Sequence, residues 1–164
     1  MRVLGIDPGL NITGYGLVEE QGSRIKLIEA GVVRTSSDRP IHERLRKIYD
    51  SLSEIIEEFR PDALVLEKVY SHYKHPVTAI LMGHARGVIC LLCGKYNIQL
   101  VNYASTQLKK SIVGRGRASK KQVGGMVQTF LNLKSPPEPK DVTDALALAI
   151  SHVRINKSLL HIGR

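Results

Sequence analysis

Residues 2–16 read Arg-Val-Leu-Gly-Ile-Asp-Pro-Gly-Leu-Asn-Ile-Thr-Gly-Tyr-Gly. The apolar run Val3–Ile6 predicts a short buried strand. It ends on a carboxylate, Asp7, followed at once by Pro8 and Gly9. Proline brings no N–H to a ladder and glycine accepts positive φ, so strand pairing must stop or bend there. A carboxylate at the end of a buried strand is costly unless a cation, a proton or hydrogen-bond donors compensate it. Asp-Pro-Gly is also a common turn, so at this point a turn-capping aspartate and a functional acid both remain open.

Outward from this stretch, residues 14–20 and 25–33 carry two more strand-like runs, with Gly22-Ser23 between them as a hairpin turn. These connections are too short for crossovers, so the three strands form an antiparallel meander. Over 41–60 the period changes. Leu45, Ile48, Leu52, Ile55, Ile56 and Phe59 recur at helical spacing until Pro61. Ala63–Leu66 predicts a fourth buried strand, and it too ends on an acid, Glu67. A polar loop, 71–76, follows; its His72 and His75 read as solvated loop residues rather than ligands. Residues 77–93 form a helix of so little charge that it belongs either in the core or at a subunit interface. Residues 98–102 are a fifth strand. Ser105 is the expected N-cap of a short helix over 106–113.

Residues 109–121 hold six positive charges and no acid: Lys109, Lys110, Arg115, Arg117, Lys120 and Lys121. Gly114 and Gly116 make its middle a loop. That Gly-x-Gly lacks a third glycine and follows a helix, which excludes a dinucleotide site. Ser119 and Gln122 form a capping-box pair opening a helix over 119–131. Inside it, Gly124-Gly125 should cost about 1 kcal/mol each relative to alanine, with close packing as the expected reason. Pro136, Pro137 and Pro139 break the chain before a last helix, 141–150. Asp141 and Asp144 share one face of its first turn. Serving the helix dipole would explain one such acid; a second beside a long apolar stripe is less expected.

The totals constrain function. A chain of 164 residues suggests one domain. Lys and Arg outnumber Asp and Glu by 24 to 15, and this net charge of +9 favours a polyanionic partner, most simply nucleic acid. No apolar run is long enough to span a bilayer, and the first residues lack a signal-peptide pattern, so the expected location is the cytoplasm and no membrane is involved. Cys90 and Cys93 lack a second pair at zinc spacing and are expected to be two small buried residues one helical turn apart.

Four acids thus stand at element ends: Asp7, Glu67, Asp141 and Asp144. Converged, they would repel one another unless divalent cations intervened, and oxygen-only ligands suit Mg²⁺ or Mn²⁺. Two such ions roughly 3.5–4 Å apart can clamp a phosphodiester, with a basic flank supplying phosphate contacts.

The residues Gly5-Ile-Asp-Pro-Gly with Thr13-Gly-Tyr-Gly, Leu66-Glu-Lys-Val-Tyr, Ala85-Arg-Gly-Val, Val113-Gly with Lys120-Lys-Gln-Val, and Asp141-Val-Thr-Asp-Ala-Leu-Ala occur in an order and spacing that resemble the RuvC family of bacterial Holliday junction resolvases, within the RNase H/retroviral integrase-like superfamily. The likeness runs over nearly the whole chain, 1–164. It implies an α/β, RNase H-like nuclease domain, with the meander of three strands and two parallel strands making a five-stranded mixed sheet flanked by helices. It implies a structure-selective endonuclease for four-way DNA junctions, making symmetric metal-dependent nicks with 5′-phosphate and 3′-hydroxyl ends in recombination and repair. The metal-binding acids map onto Asp7, Glu67, Asp141 and Asp144, with two Mg²⁺ per site and Mn²⁺ as a substitute. The family's basic residues map onto Lys109 and Lys120, within the segment that also carries Arg115, Arg117 and Lys121, and its stacking aromatic onto Tyr70. A homodimer, with 77–93 as interface helix, and the RuvAB branch-migration complex are the implied partners. Lys68 stands where a neutral glutamine is common, Gly124-Gly125 is unusual, and the chain ends soon after the last helix.

Other readings are a catalytically silent junction binder, a nuclease for RNA–DNA hybrids, and a phosphotransferase of the actin/hexokinase kind. The last needs a second lobe for which 164 residues are too few.

Overall fold

The computed structural model describes residues 1–69 and 76–162. Its elements run β1 (Arg2–Asp7), β2 (Ile12–Gln21), β3 (Arg24–Arg34), α1 (Ile41–Phe59), β4 (Ala63–Glu67), α2 (Pro76–Tyr96), β5 (Gln99–Tyr103), α3 (Ser105–Val113), α4 (Lys120–Phe130) and α5 (Lys140–Ile162). The five strands form one sheet in the order β3-β2-β1-β4-β5. β1, β2 and β3 pair antiparallel, as their short connections require, and β4 and β5 add in parallel beyond β1. The expected mixed sheet flanked by helices is present.

Strand parity divides the core in two. Leu4, Ile6, Leu17, Leu64 and Leu66 pack with Ile48, Leu52 and Ile56 of α1 and with Ala85, Ile89 and Leu92 of α2. Val3, Val18 and Val65 face the other way, onto Leu146, Ala149, Ile150 and Val153 of α5 and onto residues of α3 and α4. α1 stops where Arg60 turns left-handed (φ 46°), ahead of Pro61.

On the α5 side, glycine decides how close the helix comes. The paired residues Gly5 and Gly16, and Gly14 opposite Asp7, lie beneath it. A Cβ on Gly5 would stand 2.0 Å from the Ala145 carbonyl oxygen, on Gly14 2.2 Å from the Asp141 carbonyl oxygen, and on Gly16 2.5 Å from Leu146 Cδ2. At Gly5 and Gly14 backbone therefore rests on backbone, and at Gly16 the Leu146 side chain takes the vacated space.

Several expectations are corrected. Ser105 is the first helical residue of α3 rather than its cap: Ala104 is the extended N-cap residue and makes no side-chain cap hydrogen bond. The Ser119–Gln122 capping box does form, with Gln122 N donating to Ser119 Oγ and Ser119 N to Gln122 Oε1. α5 continues a dozen residues past 150, because nothing in 151–162 breaks a helix. α2 likewise gains a turn at its end and reaches 21 residues, which makes it long and apolar enough to cross a membrane by length and composition alone; only 22% of its most apolar window is buried. It is therefore no central core helix. Only Ala85, Ile89, Leu92 and Cys93 are buried, while Val77, Ile80 and Leu91 are 60–68% exposed. Cys90 lies about 100° around the helix from Ile89 and is exposed, contrary to expectation; Cys93 is buried. Burial pushes the Cys93 thiol up to about 11. Close packing does not explain Gly124-Gly125 either. A Cβ on Gly124 would make an ordinary 3.6 Å contact with Thr143 Cγ2, and one on Gly125 would meet nothing within 4 Å.

Candidate active site

β1 delivers Asp7 on the face that Val3 and Gly5 define, the α5 face. Gly5 pairs with Val65 of parallel β4, so Glu67 stands two residues further along β4, as Asp7 does along β1. Val65 belongs to the α5-side core, and parity turns Glu67 the same way. The third acid arrives through glycine: Gly14 is the antiparallel partner of Asp7, and the Asp141 backbone rests directly on Gly14. Asp144, one helical turn on, completes the group.

Asp7, Glu67 and Asp144 line one cleft of about 160 Å³ together with Lys109, Lys120, Ser105 and Leu108. Asp141 sits beside it. Burial, then the charges of Asp144, Asp141 and Glu67, push the Asp7 carboxyl up to about 6, against a lowering pull from Lys120. The other three acids expected from the sequence are thus close enough to Asp7 to act on it electrostatically. Lys120 Nζ donates to Asp144 Oδ2 at 2.6 Å, and this bond raises the Lys120 ammonium above its ordinary value. Among the described residues no three acids are drawn around one point as a closed metal cage.

The donor set nonetheless suits hard divalent cations. It is carboxylate oxygen throughout and carries more negative charge than Lys120 and Lys109 balance, and burial together with that surplus raises the Asp7 carboxyl above its ordinary value.

Of the basic residues singled out in the sequence, Lys109 and Lys120 line the acid cleft. Lys121 lines a neighbouring one. Arg115 and Arg117 are exposed between α3 and α4, where Gly114 (φ 83°) caps α3 by donating its N–H to Lys110 O. Tyr70, His72 and His75 lie outside the described residues.

Four residues that support the acids carried no expectation of that role. Arg44 is nine-tenths buried; its Nε donates to Thr35 Oγ1 at 2.9 Å and its Nη2 to Asn11 Oδ1. Thr35 in turn donates to Leu10 O, and buried Thr13 donates to Gly9 O at 2.7 Å. The loop that follows Asp7 is therefore tied at Gly9, Leu10 and Asn11. Arg86 does the same for β4: Nη1 donates to Glu67 O at 2.8 Å and Nη2 to Asn102 Oδ1. Signals for both arginines existed. Arg44 stands one turn before Ile48 on the apolar stripe of α1, and Arg86 is the single Lys, Arg, Asp or Glu in residues 76–94.

Comparison with known proteins gives the chain a family. The family model described as "Crossover junction endodeoxyribonuclease RuvC" matches residues 3–152. The RuvC protein of Rhodopirellula baltica is 47% identical over 148 residues, 90% of this chain and 83% of that protein. The structure of Thermus thermophilus RuvC in complex with a Holliday junction substrate superposes with a TM-score of 0.91 at 33% identity, covering 96% of each chain. The yeast mitochondrial Holliday junction resolvase shares the fold, with a TM-score of 0.69 at 17% identity over 97% of this chain and 80% of that one. The chain belongs to the RuvC family of crossover junction endodeoxyribonucleases.

Proposed function

We infer that this chain is a structure-selective endonuclease that resolves four-way DNA junctions by metal-dependent nicking, the whole of residues 1–164 working as one nuclease domain. The observation that carries the reading is the meeting of acids from β1, β4 and α5 in one cleft walled by Lys109 and Lys120.

Asp7, Glu67, Asp141 and Asp144 would hold two Mg²⁺, with Mn²⁺ as a substitute. Bound divalent cations supply neutralisation of the phosphodiester's charge and acidification of water. The chain's own groups do the rest. Asp7 must give up the proton it holds to about pH 6 before it can act as a ligand. Lys120, paired with Asp144 in the free protein, is within reach of a phosphate oxygen once that carboxylate is otherwise engaged, and Lys109 supports the same strand from α3. Arg44 and Arg86 keep the backbones that carry Asp7 and Glu67 from shifting. Water attacks phosphorus in line with the departing 3′ oxygen, which takes a proton; the ends are a 5′-phosphate and a 3′-hydroxyl.

Tyr70 stacks on a base at the crossover, and Arg115, Arg117 and Lys121 hold phosphates further out. The functional unit is a homodimer. The apolar outer face of α2, with Val77, Ile80 and Leu91 exposed, suits a second copy, and a two-fold protein presents two sites to a two-fold junction, so nicks fall symmetrically. The RuvAB branch-migration complex is the proposed partner, in recombination and repair in the cytoplasm.

The test is cleavage of a synthetic four-way junction, a linear duplex and an RNA–DNA hybrid of one sequence, with and without Mg²⁺. Paired nicks in the junction alone, lost without metal, are expected. Cutting of the hybrid would move the activity elsewhere in the superfamily, and junction binding without nicks under any divalent ion would make the protein a silent binder.

A further inference from the structure

Gly124-Gly125 is a sequence feature that neither the fold nor the acid cleft absorbs. Two glycines in the middle of α4 weaken the helix, and nothing packed against them demands their size. What they do is leave room. They line a cleft of about 340 Å³ between α4 and the segment that leads into α5. Pro136, Pro137 and Thr143 line it as well, with the Thr143 methyl group next to Gly124, and so do the exposed Lys121 and Lys140. Lys120 and Asp144 line both this cleft and the acid cleft, so the two adjoin across that ion pair. Among the described residues no carboxylate lies within ion-pair distance of Lys121 or Lys140, and Glu138 is the one acid here besides Asp144.

We propose that this cleft is a subsite for a single nucleotide of the cut strand, next to the scissile phosphate, with its base on the proline and glycine walls and its phosphate at Lys121 and Lys140. The proposal rests on the endonuclease reading above. An aliphatic slot with a cationic rim matches the two halves of a nucleotide, an uncharged flat base and an anionic phosphodiester. The volume falls within the range of small-ligand pockets. Adjacency to the acid cleft favours DNA over a protein segment as the occupant, since Lys120 and Asp144 border both clefts and a strand whose phosphate lies at the acids has this slot beside it. A base held there also gives the enzyme a place to read sequence beside the cut, which phosphate contacts alone do not supply.

Gly125→Gln fills the slot from open space and replaces glycine by a better helix former, so the variant should melt no lower than the wild type. Its KM for the junction should rise on the order of fivefold, with kcat at saturation held within about twofold. On junctions with a randomised crossover, the base preference at one position beside the cut should flatten. Gly125→Ala, too short to fill the slot, should melt higher and keep the wild-type KM. Lys140→Gln should lower the salt slope of junction binding by about one contact. An unchanged KM and preference in Gly125→Gln, beside a wild type that cuts, overturns the subsite alone. A changed oligomeric state of that variant by light scattering also overturns it, making the cleft an interface. A wild type that cuts no junction overturns the endonuclease reading, and the subsite with it.

Discussion

The two faces of the sheet solve opposite problems with neighbouring residues. On the α1–α2 face, Leu4, Ile6, Leu17, Leu64 and Leu66 meet aliphatic side chains, so spacing is set by many soft contacts. On the α5 face, beyond Val3 and Val18, stand Gly5, Asp7, Gly14 and Gly16, and the first turns of α5 lie on bare backbone at Gly5 and Gly14. The first face can adjust when one methyl group changes. At Gly5 and Gly14 the second cannot, because helix backbone resting on main chain has no side chain to rotate out of the way. The acids are on the rigid face. Charges that must stay a fixed distance apart are held by the least deformable contact in the molecule.

Removing an acid tests the rigid face most severely. Asp7→Asn should lower junction cleavage by at least a thousandfold, on the order of what loss of a metal ligand costs, while junction binding persists. Parallel cleavage and gel-shift assays check this; loss of both together would point to misfolding. Adding one carbon is next. Gly14→Ala drives a Cβ into the Asp141 carbonyl, and Gly5→Ala does the same at Ala145; each should destabilise by about 3 kcal/mol or more by chemical denaturation. Gly14→Ala should also reduce cleavage in whatever folded protein remains.

The carboxyl of Asp7 makes the rigid face visible to pH. Its folded pKa of about 6 lies above the ordinary 3.8, so the folded protein binds more protons than the unfolded chain between about pH 4 and 6. Stability contributed by this group therefore falls as pH rises through that window, by about 3 kcal/mol in all, and the penalty is complete above it. Melting without divalent ions should show the fall, Asp7→Asn should lack it, and Mg²⁺ should raise the melting temperature more at pH 8 than at pH 5. The smallest effect belongs to the soft face. Ile6→Val, one residue from Gly5, should cost only about 1 kcal/mol and leave cleavage at wild-type rates.

Much of this arrangement is legible in the chain because it depends on local rules. Alternation of side chains places Asp7 and Glu67 at strand ends, the helical period marks α1, short links force the meander, and Ser119 with Gln122 announces α4. These features need only neighbours within a few residues. What could not be read locally are the relations between distant elements. Ser105 missed its capping role by one residue, because where β5 ends decides where α3 begins. Cys90 and Cys93 look alike in sequence, and only the line along which α2 meets the sheet separates the exposed one from the buried one. What Arg44 and Arg86 fasten, the loop after Asp7 and the end of β4, shows only once those distant segments are in place. The meeting of the four acids depends on how far α5 descends onto β1 and β2, and the absent side chains at Gly5, Gly14 and Gly16 set that depth. A sequence names its glycines, but a missing side chain has physical meaning only once there is a surface for something else to touch.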